Sequence, residues 1–147
     1  LRQEFLQLYA DNLCRDSRLF PGVAELLAAI EARGLPWGVV TNKPARFTEP
    51  LLALLDLAER CAAVVSGDTC AQPKPHPAPM LEAARLCATA PAHCLYLGDA
   101  ERDIQAAANA GMPALVAAWG YLDATDAPDT WGAHASIDNP ADTLKFL

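Results

Sequence analysis

The chain has 147 residues, 52% of them apolar, and a formal net charge of −7. That length suits one domain around one good core, and no apolar run approaches the ~20 residues that cross a bilayer. The acidic balance argues against a nucleic-acid backbone as partner, yet it leaves room for a small phosphorylated ligand, because a bound divalent cation inverts the local field.

The opening residues 2–14 carry Phe5, Leu6, Leu8, Tyr9 and Leu13, a spacing that predicts a helix with one apolar face. They are charged and amphipathic, unlike a signal peptide. Pro21 is placed to open the next helix, in which Val23, Leu26, Leu27 and Ile30 recur at helical spacing and Gly34 supplies the C-cap. Residues 36–40, "PWGVV", read as a buried strand, followed by a polar loop and a helix over about 47–55. A second strand, "CAAVVSGD" at 61–68, runs into glycine and aspartate. The proline-rich "TCAQPKPHPAP" has too few N–H donors for either regular element. A helix at 80–87, the strand "HCLYL", the helix "RDIQAAANAG" and a strand at 113–119 follow. The remainder is loop-rich, with a short strand at 134–137 and a final helical turn from Pro140. Strands alternating with helices define an α/β fold, a doubly wound, Rossmann-like parallel sheet with helices on both faces.

The five cysteines, Cys14, Cys61, Cys70, Cys87 and Cys94, form no CxxC pair and no metal-binding spacing. They read as small core residues with free thiols in a reducing cytosol. His76, His93 and His134 read as solvated, and Trp37, Trp119 and Trp131 as packing residues, with Trp119 and Tyr121 near the functional edge.

In such sheets ligands gather at the carboxyl ends of the strands. The first predicted strand delivers Thr41, Asn42 and Lys43 there; the second delivers Ser66-Gly67-Asp68 and, one loop later, Lys74; the third delivers Asp99 and, four residues on, Asp103. A hydroxyl followed by helix-opening N–H groups can hold phosphate oxygens, a lysine adds positive charge, and paired carboxylates are hard oxygen ligands for Mg²⁺. Each residue also has an ordinary structural reading: Thr41 and Asp99 as helix N-caps, Lys74 as a surface lysine, and Asp103 as an acid favoured by the helix dipole. Those readings leave unexplained why three successive strands present these groups in this order.

The strings "FPGVAELLAAIEARGLPWGVVTNKPARFTEPLL", "VVSGDTCAQPKPHPAPML" and "CLYLGDAERDIQAAANAGMP" resemble the haloacid dehalogenase-like phosphohydrolases, and among them the phosphoglycolate phosphatase group, over about residues 19–121. The resemblance implies that Thr41 binds the transferred phosphoryl group and that Lys74 steadies nucleophile and phosphate. It implies that Asp99 ligates Mg²⁺, with Asp103 as a further carboxylate of the metal site, and that Asn42 and Lys43 flank the phosphate loop and position substrate. The implied activity is Mg²⁺-dependent hydrolysis of a small cytosolic phosphomonoester through an aspartyl-phosphate, with no nucleic acid or membrane as partner.

The family's first motif, DxDx(T/V) on the central strand, is absent from the 147 residues. Residues 1–18 therefore read as the remnant of a helical cap and its return linker, and 19–147 as the core, with the nucleophile expected upstream. A catalytically inactive fragment or binding module is the alternative. A core lacking its first strand would leave a gap between the strands that carry Thr41 and Asp99, to be closed by re-pairing or by a neighbour's strand.

Overall fold

The computed structural model describes residues 5–8, 14–15, 18–119 and 128–147. Strands β1 (Phe5–Leu8), β2 (Cys14–Arg15) and β3 (Arg18–Leu19) precede helix α1 (Val23–Ala32). Then follow β4 (Trp37–Val40), α2 (Ala45–Leu54), β5 (Ala63–Val65) and α3 (Ala78–Leu86). The second half holds β6 (Cys94–Gly98), α4 (Glu101–Asn109), β7 (Ala114–Ala117) and β8 (Ala135–Ile137). A 3₁₀ segment, Pro140–Phe146, comes last. Six strands form one sheet in the order β5-β4-β1-β6-β7-β8, with every pair parallel; β2 and β3 make a separate antiparallel pair.

The predicted elements from residue 19 onward are present, with ends moved by a few residues. Their burial explains why they were legible. All residues of β4, β6 and β7 are buried, the continuous apolar signature of parallel strands covered on both faces. Alternation along β6 sorts the core into two layers. Tyr96 joins Val40, Val65 and Val116 beneath Met80 and Ala83 of α3 and Ile104 and Ala107 of α4. Leu95 and Leu97 join Val39 and Leu115 against Val23, Leu26, Leu27 and Ile30 of α1.

The opening segment differs from expectation. Phe5–Leu8 is a strand, not part of a helix over 2–14, and it occupies the centre of the sheet. It pairs with β4 from Leu6–Trp37 to Leu8–Val39 and with β6 from Phe5–Cys94 to Leu8–Leu97. The slot that the sequence leaves vacant between the Thr41 and Asp99 strands is thus closed from within the chain. The physical reason is backbone satisfaction. Two buried strand edges face this slot, and a four-residue segment with three apolar residues, ambiguous between helix and strand by spacing, gains a parallel ladder on both sides. Among the described residues no helix is long and apolar enough to cross a membrane.

Candidate active site

The chain order places β4 and β5 on one side of β1 and β6, β7 and β8 on the other, so the direction of winding reverses beside β1. The crevice at such a reversal is where doubly wound sheets bind ligands.

Thr41 directly follows β4 and is buried, 1% exposed. Its amide donates to Val65 O at 2.9 Å, which continues the β4–β5 ladder by one residue. Its Oγ1 accepts the Lys43 amide at 3.1 Å and so tightens the turn into α2. Among the described residues that hydroxyl donates to no acceptor, which leaves its proton for an incoming oxygen. Lys43 is exposed at the rim, and its carbonyl accepts from Gly67 N at 2.7 Å. Gly67 has to be glycine, because a Cβ there would overlap the Asn42 carbonyl. Asp68 accepts from the Ala45 amide at 3.0 Å, so the start of α2 is capped from the loop after β5.

Lys74 is not the surface lysine of its ordinary reading. Its side chain is wholly buried, and Nζ donates to Asp103 Oδ1 at 2.6 Å, Tyr96 Oη at 3.0 Å and Val40 O at 3.3 Å. Burial pushes the ammonium from 10.5 down to about 8, against the attraction of Asp103 and Asp99, which favours the charged form. Since Val40 precedes Thr41 and Asp103 binds the Asp99 amide, these bonds tie the ends of β4 and β6 together through one amine.

Asp103 is buried, and both of its oxygens are engaged. Oδ1 takes Lys74, while Oδ2 accepts the amides of Asp99 at 3.2 Å and Ala100 at 3.1 Å. The second contact reaches back from the first turn of α4 to its N-cap residue. Gly98 permits this fold-back, since a Cβ there would lie 2.5 Å from Asp103 Cβ and 2.9 Å from Tyr96 Cε2. Asp99, 5% exposed, is therefore not the cap of α4 and brings its carboxylate to the strand end near Lys74.

Thr41, Lys74 and Asp99 thus converge at one end of the sheet, with Lys43 at the rim. Asn42 does not present its carboxamide to that opening, because both ends of it bond the main chain of Lys74. Asp68, which the sequence places at this edge, caps α2, and Tyr96 carries a role that the sequence signals only as a phenol within an apolar strand. His76 caps α3 through Nδ1, at 3.1 Å from Ala78 N. Trp37 is buried and donates to Glu31 at 3.0 Å, and Trp119 and Trp131 pack against the core. Tyr121 lies outside the described residues.

The chain belongs to the haloacid dehalogenase-like hydrolases: the model of that family matches residues 1–117. Among individual relatives, a phosphoglycolate phosphatase of Xylella fastidiosa is 47% identical over 137 residues, 93% of this chain and 60% of that protein. An N-acetylmuramic acid 6-phosphate phosphatase of Pseudomonas putida is 42% identical over 147 residues, all of this chain and 66% of that protein. A crystal structure of a predicted phosphoglycolate phosphatase from Haemophilus somnus superposes with a TM-score of 0.82 at 33% identity, covering 93% of this chain and 60% of that one. The chain spans a little under two thirds of the length of these relatives.

Proposed function

We propose that these residues form most of the catalytic core of a Mg²⁺-dependent phosphomonoester hydrolase of the cytosol. The observation that carries the reading is the placement of the Lys74 ammonium, bonded to the end of β4 and to Asp103, beside Asp99 and one residue from Thr41. In this reading Thr41 donates its hydroxyl proton to a phosphoryl oxygen. Lys74 offsets the negative charge of phosphate and nucleophile. Asp103 holds Lys74 and the Asp99 loop in place, so it serves the site as an anchor and not as a direct metal ligand. Asp99 is the residue that would hold Mg²⁺. Among the described residues no group of three or more His, Cys, Asp or Glu side chains could hold a metal. A single carboxylate is nonetheless compatible with Mg²⁺, which keeps waters and shares substrate phosphates. When bound, the ion supplies charge neutralisation between an attacking carboxylate and the phosphate dianion.

The nucleophile of the proposed aspartyl-phosphate route is supplied from outside these residues, since no DxDx(T/V) stands within them. In a longer product the strand bearing that motif would compete with Phe5–Leu8 for the central slot. The best single substrate is 2-phosphoglycolate, with N-acetylmuramic acid 6-phosphate next; both are the substrates in the names of close relatives. A second reading, an inactive binding module, is favoured by the missing motif alone. The test is phosphate release from 2-phosphoglycolate with Mg²⁺. The complete gene product should turn over and lose activity with Lys74→Ala or Asp99→Asn, while the 147 residues alone should not hydrolyse p-nitrophenyl phosphate. A complete product without phosphatase activity on either named substrate would count for the binding module.

A further inference from the structure

Lys74 is gripped at both ends by residues outside the set that would touch phosphate. At the main chain, Lys74 N donates to Asn42 Oδ1 at 3.1 Å, and Asn42 Nδ2 donates to Lys74 O at 3.3 Å. One carboxamide thereby satisfies both backbone groups of a residue 32 positions away. The flanking Pro73 and Pro75 have no amide hydrogen, so the Lys74 N–H is the only main-chain donor of that tripeptide. At the other end, Tyr96 rises from the middle of β6 with no exposed surface. Its hydroxyl accepts from Lys74 Nζ at 3.0 Å and lies 3.5 Å from Val40 O, and its ring centroid is 5.5 Å from Nζ. A lysine stem has many rotamers, so aiming its ammonium at one point requires fixing both the backbone and the head.

We propose that Asn42 and Tyr96 are positioning residues that set the Lys74 ammonium at the ends of β4 and β6, Asn42 through the main chain and Tyr96 through the amine. The proposal rests on the phosphate-site reading for its purpose. It replaces a direct contact of Asn42 with substrate by a brace across two loops.

The test uses the ¹⁵N-labelled chain. Exchange of the Lys74 NH₃⁺ and of the Lys74 amide is followed by NMR, and orthophosphate affinity by titration. Tyr96→Phe keeps the ring and removes the acceptor; it should speed NH₃⁺ exchange roughly tenfold or more and weaken orthophosphate binding about fivefold. Asn42→Ala should speed exchange of the Lys74 amide about tenfold, and Asn42→Asp, which retains the acceptor, should restore its protection. Unchanged Lys74 exchange in Tyr96→Phe or in Asn42→Ala overturns the proposal, and so does an Asn42→Ala that loses orthophosphate affinity with the Lys74 amide undisturbed. A wild-type chain that binds no orthophosphate removes the phosphate-site reading, while the exchange rates still decide whether the two residues hold Lys74.

Discussion

Replacing Asp103 by asparagine removes one charge and almost no volume. The carboxylate is fully buried, accepts Lys74 Nζ at 2.6 Å and receives two backbone amides. In Asp103→Asn the ammonium keeps its buried site and loses its anion, and removing one partner of such a pair costs about 3–5 kcal/mol. The pH dependence follows from proton counting. Lys74 sits below its unfolded value in both proteins, so the unfolded state binds more protons and stability rises with pH up to about 10.5. The rise begins near 8 in the wild type and lower in the variant, so the deficit should narrow by about 1 kcal/mol between about pH 7 and pH 9. Urea denaturation followed by tryptophan fluorescence reads both values, with buried Trp37 as a reporter. A variant within about 1 kcal/mol of wild type at neutral pH, or a deficit that widens with pH, would refute the assignment of Asp103 as the anchor of a charged Lys74.

Three further outcomes follow from the same geometry. Thr41→Val keeps the shape of a buried residue and removes its hydroxyl, so orthophosphate affinity should fall about tenfold, the equivalent of ~1.4 kcal/mol, by isothermal titration. Gly98→Ala drives a methyl against Asp103 and Tyr96, and overpacking of about 1–3 kcal/mol should lower the melting temperature by several degrees in calorimetry. Burial pushes the Cys87 thiol up to about 12, so iodoacetamide near pH 8 should label it roughly a thousandfold more slowly than free cysteine, as peptide mass spectrometry would show.

The readable parts of this protein are those where one physical demand dominates a residue. β4, β6 and β7 are buried on both faces, and their apolar runs say so directly. Thr41, Lys74 and Asp99 follow such runs, or the loop after one, and strand ends are where a doubly wound sheet presents chemistry. Asp103 had two readings in sequence, helix-start acid and metal carboxylate. Geometry favours the first by showing both oxygens on Lys74 and on the start of α4. Asn42 and Tyr96 were not legible as partners of Lys74, because their bonds span 32 and 22 residues of sequence, and no local periodicity encodes that pairing. The segment at Phe5–Leu8 was misread for a related reason: its helical spacing is local, whereas the two strand edges that recruit it come from residues 37–40 and 94–98.

The central claim is that the carboxyl ends of β4 and β6 form a phosphate pocket around Lys74. Its most direct test is an orthophosphate titration of the ¹⁵N-labelled chain with amide shifts mapped residue by residue. The shifts should concentrate at Thr41, Asn42, Lys43, Lys74, Asp99 and Ala100. A titration that leaves those amides still, or moves a cluster at the amino ends of the strands around Leu95 and His134 instead, contradicts it.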